Sequence, residues 1–365
     1  MPSAPRTGRN AERRRGGPRS TAFTRFTVVA ILSGCTPDAS GSYVDIQVHS
    51  DSAELCAGTV EHLDRFIERV FDFLGEPIPD DFVVPVEIFS EQQPCDIAAC
   101  YDHGKVWLRF LDTGWWDRPS WLLRHELVHA IHRTAWGNAA PFFNEGLAQA
   151  LSSLVSSRPG SMAIGDMLDK PAEEVDYDEA GRFVRFLIET RGMAQFRRIF
   201  QGSSGKDAAG LRAWIGEVYG ETFADIEAEF LSGAPRCHYQ LHLCDSTEAE
   251  RVTDSWSLDV FASCHEPDFY GAANSGADLF ATSRTLELVQ DGRYRVTPQF
   301  AADPADPASQ AARVTFVHCG TCEQVSVQEL RSAGYELQLS AGVFALEVIM
   351  PYEREVTVEI VRLGD

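Results

Sequence analysis

The sequence predicts an α+β chain, in which a mixed sheet packed with helices is followed by a small all-β sandwich. Three observations lead there. The 365 residues amount to about two domains at roughly 100–200 residues each. Apolar residues make up 44% and aromatic residues 10%, enough for sizeable cores and unlike a disordered chain. Helical periodicity, frequent up to residue 231, gives way beyond about residue 255 to short alternating runs separated by turn residues, the pattern of a sandwich. A multi-span membrane protein is excluded, because no stretch approaches the roughly 20 apolar residues of a spanning helix. The 32 basic and 54 acidic residues give a net charge of −22, the wrong sign for nucleic acid, whose phosphates require a basic face.

Taken in order, Tyr43–His49 alternates and reads as a strand. Residues 52–75 read as an amphipathic helix, with Val60, Leu63, Phe66, Ile67, Val70, Phe71 and Leu74 at helical spacing and Gly75 as its stop. Val83–Phe89 and 105–110 read as further strands. Asp117-Arg-Pro-Ser opens a helix running to about 134, with Pro119 in the first turn, where its missing N–H costs nothing. Pro141 opens another helix to about 156, and further helices are expected over 178–191, 193–201 and 207–231, the last broken near Gly220. In the C-terminal part the runs 284–289, 293–300, 313–318, 335–339, 344–350 and 355–361 read as strands. The expected domains are 43–234 and 235–365.

The N-terminus carries a different signal. Residues 1–25 hold seven arginines against one acid, Glu12; without them 25 basic and 53 acidic residues remain, a net charge of −28. The apolar run Phe26–Gly34 is too short to span a bilayer. A basic segment, a brief apolar run and a small-residue end describe a secretory signal peptide, expected over 1–34. Leu32-Ser-Gly-Cys35 resembles the lipobox of bacterial lipoproteins, which implies cleavage before Cys35, lipid on that residue as a membrane anchor, and a tether over 35–42. Thr36 stands where an Asp marks inner-membrane retention in some bacteria, so an outer-membrane or cell-surface location is expected. Of nine cysteines, eight then remain, an even number that suits disulfides in an exported chain. Three of these (56, 95, 100) precede residue 110 and five follow 236. Either each group keeps one free thiol or one bridge crosses between the groups.

The chemistry is concentrated in His125-Glu126-Leu127-Val128-His129. On a helix, residues four apart share a face, so both imidazoles point one way and can bind Zn²⁺, while Glu126 can deprotonate a water on the metal. Chance would produce this pattern in such a chain only about 0.02 times. A catalytic zinc needs a third protein ligand and an open position. Glu145 follows His129 after fifteen residues, within Pro141-Phe-Phe-Asn-Glu-Gly-Leu-Ala148. In these two motifs the chain resembles the gluzincin metallopeptidases, and more closely their Glu-Gly-Leu-Ala variety, the peptidase-MA-like proteins. The metzincin pattern is excluded, because no third His follows at its spacing.

The resemblance covers roughly residues 43–231 and implies a zincin-like fold. It also implies zinc-dependent hydrolysis of a peptide or protein, with His125, His129 and Glu145 as metal ligands and Glu126 as general base. Tyr177 becomes the candidate donor to the tetrahedral oxyanion, and strand 105–110 the peptide-binding edge of the cleft. One departure stands out: Gln149 occupies the place of an Asp that supports a ligating His in the thermolysin type, so another group must hold that imidazole. In the C-terminal part, Gly292–Val296 and Leu339–Ala345 resemble the strands of pre-peptidase C-terminal sandwiches.

Other features read more plainly. Cys319-Gly-Thr-Cys322 suits a structural disulfide better than redox or zinc chemistry in an exported β-rich segment. Cys95 and Cys100 suit closure of a loop beside the cleft. Trp115 and Trp116 read as loop packing, and His103, His132 and His238 as ordinary surface or core histidines. The acids of 173–179 read as a solvated helix start rather than a site for basic substrates. Two competing readings are an inactive binding protein on the same fold and an envelope scaffold, for which metal removal would leave binding unchanged.

Overall fold

The computed structural model describes residues 38–49, 53–89, 99–109, 121–152, 163–233, 239, 241, 244, 248–274, 279–300, 312–319, 328–330, 334–351 and 353–364. The expected signal peptide, Cys35, Cys95, Trp115, Trp116, the helix start expected at Asp117–Pro119, Cys237, His238 and Cys322 lie outside them. The fold is α+β. Seven α-helices occur among the described residues: α1 Thr59–Leu74, α2 Trp121–Ala135, α3 Pro141–Ser152, α4 Tyr177–Arg191, α5 Met193–Gly202, α6 Ala208–Tyr219 and α7 Phe223–Gly233. Strands β1 (Asp38–Ser40), β2 (Val44–His49), β3 (Ala53–Leu55), β4 (Val84–Phe89), β5 (Ala99–Asp102) and β6 (Lys105–Arg109) precede or alternate with the first of them. Ten strands follow: β7 Glu250–Val252, β8 Ser255–Ala262, β9 Tyr270–Asn274, β10 Leu279–Leu288, β11 Gly292–Phe300, β12 Arg313–His318, β13 Gln328–Leu330, β14 Tyr335–Leu339, β15 Gly342–Met350 and β16 Arg354–Gly364.

The first sheet has the order β1-β2-β4-β6-β5, with β2, β4 and β6 parallel and the two edge strands antiparallel. Alternating residues Val44, Ile46, Val84, Val86, Val106 and Leu108 face one core with Leu63, Phe66, Ile67, Val70 and Phe71 of α1. Each such side chain stabilises the fold by about 1.5–3 kcal/mol when fully buried. Strand 105–110 was expected to edge the cleft; it does not, because β5 caps it. His103 (φ 50) and Gly104 (φ 80) turn the chain in a two-residue hairpin, so β5 and not β6 is the outer strand.

A second core lies between a seven-stranded sheet, ordered β13-β12-β15-β10-β9-β3 with β7 beside β10, and a four-stranded sheet ordered β14-β11-β16-β8. Tyr294, Val296, Val356, Val358 and Ile360 face Leu286, Phe316, Phe344, Leu346 and Val348 across it. β15 is buried on both faces over its last seven residues, which explains its unbroken apolar run.

The helix expected from residue 52 starts at Thr59, because the preceding segment is taken by the C-terminal sheet. β3 pairs with β9, the Gly58 N–H donates to the Phe269 carbonyl at 2.8 Å, and the Thr59 hydroxyl to the Gly271 carbonyl at 2.8 Å. Cys56 is bridged to Cys264 across 208 residues. Of the two cysteine alternatives, the crossing bridge is the one formed. Cys319 pairs with Cys244, and Cys100 is disulfide-bonded. Residues 36–365 form one compact unit.

Candidate metal centre

Helix α2 is buried on every side from Leu123 to His132, because it is enclosed by α1, α3, β5 and β6. Its polar residues therefore face protein rather than water. After α2, Gly137 adopts φ 87, a left-handed conformation that favours glycine, and the chain reverses into α3. Asn144 clamps that turn: its Oδ1 accepts from Ala139 N–H at 3.1 Å and its Nδ2 donates to Ala139 O at 3.2 Å. Ser203 Oγ accepts from Ala140 N–H at 2.8 Å. These contacts set Glu145 opposite α2. Gly146 then lets α4 come close, since a Cβ there would stand 2.8 Å from both the Ala180 carbonyl and Val184 Cγ2.

His125 Nε2 lies 3.2 Å and His129 Nε2 3.3 Å from Glu145 Oε2. The three ligand atoms all fall within 4.8 Å of one another. Two imidazole nitrogens and a carboxylate oxygen are the donors of a metal site, so these residues fit a metal ion, and among the described residues they are the group that does. Burial opposes charge on His125, but Glu145 and Glu126 outweigh it and raise its pKa. Burial likewise pushes Glu145 up, yet both imidazoles prevail and hold it well below the usual carboxylate range. Glu126 is raised by burial against the pull of His129 and His125, and the Tyr101 backbone N–H of β5 donates to its carboxylate.

His132, read as an ordinary histidine, has a defined place. It is fully buried, its Nε2 is 3.1 Å from His129 Nδ1, and its Nδ1 is 3.3 Å from the Gly137 carbonyl. The chain His129–His132–Gly137 carbonyl fixes which nitrogen of His129 faces Glu145. Gln149 lies beside the His125 imidazole, and its Nε2 donates to Asp178 Oδ1 at 2.8 Å. Tyr177 stacks on His125 with ring centroids 5.5 Å apart and planes at 9°. Its pKa is raised by burial first, then by Glu145 and Glu126.

All five sequence candidates thus meet at one place. Tyr101, His132 and Asp178 join them unforeseen as partners, and Gln149, for which the sequence suggested a substitute group, itself stands beside His125. Helical spacing, three residues from His129 and four from Glu145, was the available signal for His132 and Gln149; Asp178 had none. The acids of 173–179 are largely engaged within the chain. Asp176 caps α4 through the Glu179 N–H at 3.1 Å, Glu179 pairs with Arg182 at 2.9 Å, and Glu174 pairs with Lys170 at 2.9 Å.

No family model and no curated protein matches this chain. Among solved structures, HEPD of Streptomyces albus, with 2-hydroxyethylphosphonate and Fe(II) bound, aligns at 11% identity over 57% of this chain and 43% of its own, with a TM-score of 0.11. The chain spans under half the length of that protein, and a likeness this slight carries no argument about fold, metal or chemistry.

Proposed function

We propose that this chain is a zinc-dependent peptidase, exported and anchored through lipid on Cys35, acting on peptides or proteins. The observation that carries the reading is the convergence of His125, His129 and Glu145 within 4.8 Å, with buried Glu126 held beside them. Two imidazoles and one carboxylate with a position left for water are the donor set of catalytic zinc. Bound there, zinc supplies positive charge that acidifies a water and polarises a carbonyl.

The chain's own groups do the remaining work. Glu126 takes a proton from the attacking water and returns it to the leaving amine. The Tyr101 N–H holds that carboxylate in place. Tyr177, kept protonated by its raised pKa, donates to the oxyanion that develops on the substrate. Strand β5 pairs only with β6 among the described strands, and its outer edge offers main-chain groups to an extended peptide. The disulfides Cys56–Cys264 and Cys244–Cys319 support export to an oxidising compartment.

The test is hydrolysis of an unfolded protein substrate before and after chelation. Hydrolysis is expected to stop on chelation and return with one equivalent of zinc. Hydrolysis indifferent to the chelator would overturn the reading. Bound zinc without hydrolysis would favour a binding protein on the same scaffold.

A further inference from the structure

The two ligand imidazoles are supported by different devices, and only one is visibly closed. His129 hands its second nitrogen to His132 at 3.1 Å. The corresponding atom of His125, Nδ1, is sealed from solvent and makes no hydrogen bond; Gln149 Oε1 is in the same condition. The two residues are neighbours, exposed by only 3% and 6%. Asp178 Oδ1 accepts from Gln149 Nε2 at 2.8 Å. An ionised carboxylate only accepts, so the amide must turn its NH₂ toward Asp178 and its oxygen away. That orientation leaves Oε1 as the acceptor available to a proton on His125 Nδ1.

We propose that Asp178 and Gln149 act together as positioning residues: Asp178 orients the Gln149 amide, whose Oε1 receives the Nδ1 proton of His125 and so reserves Nε2 for the metal. This rests on the metal-site reading above. The arrangement depends on three features of the chain. Gln149 is four residues after Glu145, on the same face of α3. Asp178 is in the first turn of α4. Gly146 permits the approach of α4 to α3 that brings the two together. It also accounts for a glutamine where a single carboxylate would serve: the carboxylate is present, one residue further out.

The experiment is a cycle of zinc dissociation constants, measured by competition with a chromophoric chelator on the full chain. Asp178→Asn is made in two backgrounds, wild type and Gln149→Glu, and Gln149→Met is measured beside them. In the wild-type background Asp178→Asn frees the Gln149 amide to turn and is expected to weaken zinc binding about tenfold, and Gln149→Met by about 10–100-fold. In the Gln149→Glu background a carboxylate needs no orienting acceptor, and the amide that Asp178→Asn introduces can donate to it, so the substitution costs nothing or restores affinity. Metal-free melting temperatures of the same proteins separate loss of the fold from loss of the device. Asp178→Asn having one and the same effect in both backgrounds would overturn this inference while leaving the metal site standing. A wild-type chain that binds no zinc would overturn the metal reading itself.

Discussion

Helix α2 sends two consecutive buried residues into two different polar clusters, about 100° apart around its axis. Arg124, 1% exposed, donates to the Ser152 carbonyl at 3.3 Å and reaches His62 Nε2 at 3.4 Å. His62 stacks on Tyr270 with ring centroids 3.6 Å apart, and the Tyr270 hydroxyl donates to Glu347 of the C-terminal sheet. Both rings line a cavity of about 410 Å³, two of whose three arginines pair with acids of the same lining: Arg65 with Glu61 at 2.7 Å and Arg284 with Asp268 at 2.7 Å. His125 leads instead to Glu145, where three groups able to hold a metal face one another. Cavity size and polar burial therefore do not by themselves mark the candidate site. Opposite charges that neutralise each other make a joint between the helices and the sandwich; convergent ligands make a centre.

The contrast is sharpest in paired variants. Glu126→Gln is expected to lower kcat/KM by about 10²–10⁴, the usual worth of a general base, with little change in thermal stability, read by steady-state kinetics and melting curves on one preparation. Arg124→Met, on the same helix yet facing the joint, is expected to do the reverse. It should lose about 2–3 kcal/mol from its broken charge-assisted hydrogen bonds in urea titrations, while each folded chain keeps its zinc. If Arg124→Met abolishes metal binding in folded protein, the two clusters are one.

Much of this division was legible before the structure. The ligand helix, Glu145 and the change of periodicity after residue 255 follow from local spacing, which a sequence displays directly. What was missed depends on partners far along the chain. β5, β7 and β9 have three to five residues each and owe their form to the strands beside them. Sheet order placed β5 outside β6, which chain order does not reveal. Residues 53–58 read as the start of a helix until β9 and Cys264 claim them. Asp178 matters only because Gly146 admits α4, a contact invisible to periodicity.

Two smaller effects refine the picture on each side. Gly146→Ala drives a methyl group against the Ala180 backbone; a loss of about 1–3 kcal/mol is expected, read by urea titration. An unchanged stability would show that the α3–α4 approach is not tight. At the joint, burial first, then Arg124 and Arg65, hold the His62 pKa well below its ordinary value. The native state leaves His62 neutral while the unfolded chain protonates it near pH 6.5, so stability falls as pH drops below that value. One such histidine contributes about 1.4 kcal/mol per pH unit. Unfolding free energies at pH 7 and pH 5.5 should therefore converge by that slope in His62→Gln relative to wild type; equal slopes would show that His62 is charged in the fold.

The most direct measurement is metal content by elemental analysis of the purified full chain, wild type and Glu145→Ala side by side. About one zinc per wild-type chain, sharply reduced in Glu145→Ala while the fold is kept, is the result expected from His125, His129 and Glu145 as a single centre. Zinc absent from the wild type, or retained equally by Glu145→Ala, would contradict it.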